Sequence, residues 1–358
     1  MSDFLDHLCS RVETAARHGT PLRPVGGNTK QFYGGPLQGE EINLSEWTGI
    51  LAYEPTELVI TAKAGTPLHT IEAALAEHQQ ELAFEPPRFG TQSTIGGVVA
   101  SGLAGPARLA RGGVKDYVLG CTLLDGKGQL LHFGGVVMKN VAGYDVSRVI
   151  PGSLGTLGIA VDLSIKVLPK AVAEATLQFE YSEAKAIEQT NDWLGKPLPI
   201  NATAWENGLL TVRLRGARAA VDAATKGLGG AVMLPPAADA FWNSLRDQTH
   251  PMFTTPGDVW RLAVPATREP LNLPGHSLHE WASGLRWLRP AEGSTVEQIR
   301  SAVQAVGGHA TLYRSSTPEH RAQAFHAPAK AMVDLQRRLK QQFDPAGIFS
   351  VNRLAPIL

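Results

Sequence analysis

Cysteine is nearly absent. Two in 358 residues, Cys9 and Cys121, are too few for a disulfide framework or for ligating an iron–sulfur cluster. Net charge is absent as well: 33 Lys plus Arg balance 33 Asp plus Glu, which leaves no basic footprint for nucleic acid or an anionic membrane. The same balance does little to keep chains apart, so association with partner subunits is permitted. No apolar run approaches the ~20 residues of a spanning helix. The opening MSDFLDHLCSRV is acidic and lacks the basic-then-apolar order of a secretion signal, so a cytoplasmic protein is expected. Two nucleotide signatures are also missing. Residues 152–158 read G-x-x-G-x-x-G rather than G-x-G-x-x-G, and there is no P-loop. A Rossmann domain and a nicotinamide site are therefore not expected.

What the chain does have is glycine: 37 of them, crowded between positions 26 and 158, whereas all but one of the seven tryptophans lie in the second half. That shift points to two regions with different tasks, and the length accommodates both. Apolar spacing predicts a helix over 3–18, a short strand (PLRPV) running into GGNT, a strand at 57–62 and a helix at 69–78. YVLGCTLL and QLLHFGG form a hairpin signal about the turn at 125–128, and the alternating stretch 159–169 stops at Pro169 as a strand does. From 175 to 234 the order β-α-β-β-α-β resembles a ferredoxin-like half-domain. Further strands are expected at 259–264, 284–289 and 309–314, with helices at 295–306 and 328–343. PPAADA, the stretch 265–275 and HSLH (276–279) read as loops.

Three glycine-rich segments carry the chemistry. Val25-Gly26-Gly27-Asn28-Thr29-Lys30 follows a strand, where positive-φ glycines gather N–H groups into a phosphate-holding nest, unless the pair is an ordinary turn. In the segment 87–102, Thr94 precedes Gly96-Gly97 and a run of small residues. There a helix start adds N–H donors, or the small residues simply pack tightly. The third, Asn140 to Asp145 followed by Gly152 to Ile159, feeds a strand and is by itself an ordinary loop.

Taken together and in order, these segments resemble the FAD-binding domain of the vanillyl-alcohol-oxidase/PCMH superfamily over residues 20–170. The resemblance implies an α+β fold: a PCMH-type FAD-binding domain of two α/β lobes (1–170), an antiparallel-sheet, ferredoxin-like cap domain (171–325), and a C-terminal helix and tail (326–358) returning to the FAD domain. It also implies FAD ligands. Val25, Gly26, Gly27, Asn28 and Thr29 match the pyrophosphate loop. Pro87, Thr94, Ile95, Gly96, Gly97, Ala100, Ser101 and Gly102 match the segment along pyrophosphate and isoalloxazine. Gly112, Gly113 and Asp116 match the turn before the next sheet, and Gly158 and Ile159 the end of the third segment. Asn28 stands where covalently flavinylated relatives carry histidine, so the FAD is expected to be non-covalent. Leu154 replaces a Glu common in hydroxy-acid dehydrogenases, and Ser350-Val351-Asn352 replaces a C-terminal Asn-Pro-Gly.

Within the superfamily, KNVAGYDVSRVIPGSLGTLGI and LKQQFDPAGIFSVNRL resemble FAD-binding subunits of bacterial glycolate oxidases. That resemblance implies oxidation of a small 2-hydroxy acid, a second FAD subunit, an iron–sulfur subunit, and membrane association, if any, through those partners. Such chemistry needs a cation for the carboxylate and a base for the hydroxyl proton. Arg314 is the candidate for the first and His309 for the second, although an odd separation along one strand puts them on opposite faces. His276 and His279 lack a third ligand, so no metal is expected. The later tryptophans read as cap core, and the charged helix with Lys330, Asp334, Arg337, Arg338 and Lys340 reads as a solvated face. An electron-relay or structural subunit without substrate chemistry remains the competing interpretation.

Overall fold

Asp3 and Asp6 open the first helix, α1 (Asp3–His18), and Arg17 and His18 close it, so both ends suit the helix dipole. Its buried Leu8, Val12 and Ala15 pack on Leu22 and Ile42 of a parallel pair, β1 (Leu22–Val25) and β2 (Glu40–Asn43). The structure, a computed structural model, describes residues 3–135, 145–315 and 317–354.

The second lobe begins with β3 (Ile50–Glu54), β4 (Val59–Lys63), α2 (Leu68–Glu77), a short β5 (Gln80–Glu81), α3 (Ile95–Ser101) and α4 (Arg108–Arg111). It continues with β6 (Val118–Leu124), β7 (Leu130–Gly134), β8 (Ile159–Lys166) and a short β9 (Leu168–Pro169) that pairs with β5. Its sheet runs β3-β4-β8-β6-β7, antiparallel throughout. The expected hairpin is present, because Asp125 Oδ1 accepts the N–H groups of Lys127 and Gln129 and fixes the turn. Ile71, Leu75, Ile95, Val98 and Val99 from the helices meet Leu123, Leu163 and Ile165 from the sheet, all buried. Burial of each such side chain contributes about 2 kcal/mol.

The cap opens with β10 (Ala173–Glu180), α5 (Glu183–Leu194), β11 (Ile200–Glu206), β12 (Leu209–Gly216), α6 (Arg218–Leu228) and β13 (Ala231–Met233). The strand order β13-β10-β12-β11 is the ferredoxin-like one. Then α7 (Pro235–Arg246), α8 (Pro251–Thr254), β14 (Val259–Ala263), β15 (Gly275–Glu280), β16 (Leu285–Pro290), α9 (Val296–Ala305) and β17 (His309–Arg314) widen the same sheet to eight strands, β13-β10-β12-β11-β15-β16-β14-β17. Two loops expected from sequence are regular elements here. PPAADA starts α7, because proline in a first helical turn gives up no hydrogen bond, and Ala238, Trp242 and Leu245 follow at helical spacing and are buried. HSLH lies in β15, held on both sides by β11 and β16, so tertiary pairing overrides the turn signal of Pro274-Gly275.

The charged helix α10 (Lys330–Phe343) leads the tail back to the first lobe, where Leu22 and Phe349 form a parallel bridge and Ser350 N–H donates to the Leu22 carbonyl at 2.8 Å. One expectation fails there. Lys340 is buried rather than solvated, with Nζ donating to Thr156 O (2.6 Å), Phe349 O (2.8 Å) and Asp344 Oδ2 (2.6 Å). The ammonium is tolerated because all its donors are used. Of the third glycine-rich segment, 140–144 lies outside the described residues, and Gly152 to Gly158 leads into β8.

Candidate functional site

Strand β1 delivers the chain into Gly26-Gly27-Asn28-Thr29, whose N–H groups donate no hydrogen bond to any described residue. Asn28 has φ 56°, a left-handed conformation that asparagine tolerates, and the loop curls about a groove lined by Gly26 to Gln31, Thr94, Gly97, Ala100 and Ser101. Gly27 is required: a Cβ there would lie 1.4 Å from the Gln92 carbonyl oxygen. Lys30 is half-buried, with Nζ 2.6 Å from Ser93 Oγ and 3.2 Å from Thr29 Oγ1 and no ion pair among the described residues. Burial lowers its pKa to about 8. An uncompensated ammonium beside four free N–H groups fits a pyrophosphate. Beyond Gly26 and Gly97 the space continues as an apolar slot with Leu44, Ala64, Ile150, Gly158, Ile159 and Ala160, which suits a flat ring.

Of the expected cofactor residues, Val25, Gly26, Gly27, Asn28, Thr29, Thr94, Gly97, Ala100 and Ser101 line the groove, and Gly96, Gly158 and Ile159 line the slot. Six others line neither cavity. Pro87 and Ile95 are buried in packing, and Gly102 caps α3 at φ 63°. Gly112, Gly113 and Asp116 close a turn of their own, in which Asp116 Oδ2 accepts the Gly113 N–H at 2.8 Å. The start of α3 supplies no free donors, contrary to expectation. Ile95 N–H bonds to Thr66 O, Gly96 N–H to Ala64 O and Gly97 N–H to Thr94 Oγ1, because the helix is docked on the loop after β4. Residues not expected as ligands also line the groove: Lys30, the last residue of the first glycine-rich segment, Leu154 and Ser350, which depart from the family pattern, and Arg353, which carried no local signal. Arg353 donates to the carbonyls of Gly35 and Gln31, and burial lowers its pKa to about 10.

On the cap face the alternation argument fails for a physical reason. A bulge in the β14–β17 register, where Val259 pairs with Arg314 but Trp260 with Leu312, resets the alternation at the end of β17. Arg314 therefore reaches the first domain, with its guanidinium 4.2 Å from the centroid of the Phe32 ring and Nη2 3.1 Å from Gln248 Oε1. Lys30 and Arg314 share the Phe89 ring, at 5.4 and 5.9 Å. His309 pairs with Ala263, on the face that carries Arg261 and away from the core under α9. Five residues of strand put it about 16 Å from Arg314, so the two do not act on one group. Partial burial, Arg261 and His326 lower the His309 pKa, which favours the neutral ring. His276 and His250 both meet Glu206, at 2.7 and 3.4 Å, whereas His279 is on the opposite face, its pKa lowered to about 3 by burial. Among the described residues no three His, Cys, Asp or Glu are placed to hold a metal.

The two domains are joined by side chains. Glu85 accepts from Arg213 Nη2 at 2.7 and 2.8 Å and from the Ala107 N–H at 2.9 Å, and Trp281 Nε1 donates to Gly105 O at 3.0 Å. Glu280 is fully buried, bonded by Trp287 Nε1 at 2.7 Å, and burial raises its pKa to about 7. Among the described residues no helix is long and apolar enough to cross a membrane.

Comparison with known proteins agrees with this geometry. The family described as "FAD binding domain" matches residues 5–134, the part that contains the pyrophosphate-type loop and α3, and FAD is the cofactor. A solved alkyldihydroxyacetonephosphate synthase aligns over 96% of this chain and 73% of its own with a TM-score of 0.65 at 15% identity, a likeness of fold. Glycolate oxidase subunit GlcD of Bacillus subtilis is 32% identical over 52% of this chain, and D-lactate dehydrogenase of Anaerostipes hadrus 28% over 50%. The chain spans only 40% and 38% of those two relatives. Glycolate oxidase subunit GlcE of Escherichia coli (strain K12) is 42% identical over 98% of this chain and 97% of its own length. The chain belongs to the family of glycolate oxidase subunit GlcE.

Proposed function

We propose that this chain is the FAD-binding subunit of a cytoplasmic glycolate (2-hydroxy acid) dehydrogenase complex, which oxidises glycolate to glyoxylate and passes electrons to an iron–sulfur partner beside a second FAD subunit. The observation that carries the proposal is the neck of the groove, where the free N–H groups of Gly26 to Thr29 face the half-buried Lys30, which has no ion-pair partner among the described residues. Those N–H groups would hold the pyrophosphate and Lys30 would offset part of its charge, and no histidine stands in the loop, which supports non-covalent binding. FAD, when bound, supplies the two-electron sink for a hydride leaving the substrate Cα. Arg314, stacked on Phe32 beside Lys30, adds positive charge at the cap side of the groove. His309, its neutral ring favoured, accepts the hydroxyl proton. With only two cysteines, one of them buried, the chain relies on a partner for one-electron carriers.

One observation favours a second interpretation, an electron-relay subunit without substrate chemistry. Phe32, Tyr33, Phe89 and Tyr313 pack ring against ring between groove and cap, with centroids 5.2 to 5.4 Å apart and Tyr313 wholly buried. Anaerobic addition of glycolate to the FAD-loaded chain separates the two. Bleaching of the flavin band supports oxidation by this subunit. A spectrum that stays oxidised, together with reduction by a partner subunit, assigns the relay role.

A further inference from the structure

We propose that Arg108 and Arg261 form an anion subsite between the two domains that takes the carboxylate of a small organic acid. This inference rests on the proposal that the subunit meets substrate, and it moves the carboxylate contact away from Arg314. Arg108 is on α4 of the first domain and Arg261 on β14 of the cap. Their guanidinium carbons lie 4.5 and 5.4 Å from the centroid of the same Trp281 ring. Neither side chain makes a hydrogen bond or ion pair with any described residue. Neighbouring arginines at the interface are all engaged: Arg213 with Glu85, Arg215 with Glu81 and Glu174, Arg88 with Glu72, Arg246 with Asp247. Nor are the nitrogens of Arg108 and Arg261 among those sealed from solvent without a partner, so they remain reachable.

The carboxyl groups nearby act on the pair only through space, Asp116 favouring the charge of Arg108 and Arg261 favouring the carboxylate of Glu280, and neither bonds to a guanidinium. Asp116 turns Oδ2 to the Gly113 N–H, and Glu280 is buried and bonded to Trp287, with its pKa raised by burial to about 7. Burial and the charge of Arg261 both lower the Arg108 pKa, which means the two cations oppose each other. A bound carboxylate removes that opposition and supplies what a guanidinium stacked on an indole still lacks, acceptors for its in-plane N–H groups.

The ring between them is fixed. Trp281, Ala282 and Ser283 take φ 54°, 52° and 68°, three successive non-glycine residues in the left-handed region. That costly turn is held by Trp281 Nε1 on Gly105 O (3.0 Å) and by the Ala282 N–H on Thr203 Oγ1 (2.8 Å). Gly105 lies just past the C-cap of α3, whose other end closes the neck of the groove. The subsite thus lies beyond the far end of α3 from the pyrophosphate end, on the cap face that also carries His309.

Calorimetric titration of the FAD-loaded full chain with oxalate, a planar acid too oxidised to reduce flavin, tests the subsite without relying on turnover. Saturable binding is expected, weakened about tenfold or more by Arg108→Gln and by Arg261→Gln, with Arg→Lys at either position intermediate. Unchanged FAD content in each variant shows that the fold persists. Equal oxalate affinity in wild type and both Gln variants, or no binding to wild type, overturns the proposal. Bleaching by glycolate that survives both Gln substitutions removes the subsite and leaves the oxidation proposal standing. Arginine-dependent oxalate binding without bleaching does the reverse.

Discussion

The two sites proposed at the ends of α3 are built by different means. At its start, the groove is made of backbone: free N–H groups, a left-handed asparagine, and glycines that let loops 26–29 and 92–97 touch. At its end, the domain interface is made of side chains brought from residues 85, 108, 213, 261 and 281. A backbone site needs particular residues in one short stretch. A side-chain site needs only that the fold bring distant residues together.

If the backbone end is the cofactor site, obstructing it should have the largest effect. A Cβ at Gly97 meets nothing closer than Thr94 Oγ1 at 3.4 Å and looks across the groove to Lys30 Nζ at 3.9 Å, so Gly97→Trp fills the space and leaves the core untouched. FAD affinity should fall by about 100-fold or more while the circular dichroism spectrum stays that of wild type, since such overpacking acts only on the ligand. Lys340→Met attacks the packing beneath the same groove. It leaves Asp344 without its cation and the carbonyls of Thr156 and Phe349 without this donor, and urea titration should show a loss of about 3 kcal/mol.

Lys30→Met should weaken FAD by about tenfold and also change a pH profile. The folded pKa, lowered from 10.5 to about 8, lies below the unfolded value, so the unfolded chain holds more protons between those limits. The apo fold therefore gains stability as pH rises from 8 toward 10.5. Bound pyrophosphate pulls the pKa back up, so FAD binding takes up a proton above pH 8 and weakens as pH rises. Calorimetry in buffers of different ionisation enthalpy should detect that proton in wild type and not in Lys30→Met. Smallest of all, Arg337→Ala removes an exposed pair with Asp334 and should change stability by less than about 0.5 kcal/mol.

The contrast between the two ends also explains what was readable in the sequence. Gly27 had to be glycine because of the Gln92 carbonyl, and Thr94 had to precede the glycine pair to cap α3, so those positions announced themselves. The order β-α-β-β-α-β was legible because each element carries its own period. HSLH was not, because β15 owes its conformation to hydrogen bonds from β11 and β16. The alternation that set Arg314 and His309 on opposite faces misled because a bulge leaves no mark in a period-two pattern. Lys340 was misplaced because a lysine whose every donor is satisfied looks, in sequence, like any other surface lysine. Arg108 and Arg261 gave no signal, since only the fold sets them on one tryptophan.

The most direct test of the central claim is a paired titration of the apo chain with FAD and with riboflavin. The two ligands share the reacting ring, and only FAD brings the pyrophosphate and adenine. If Gly26 to Lys30 hold the pyrophosphate, FAD should bind at least about 1,000-fold more tightly than riboflavin, the difference expected for several charge-assisted hydrogen bonds together with ring burial. Equal affinities for the two ligands would contradict the account.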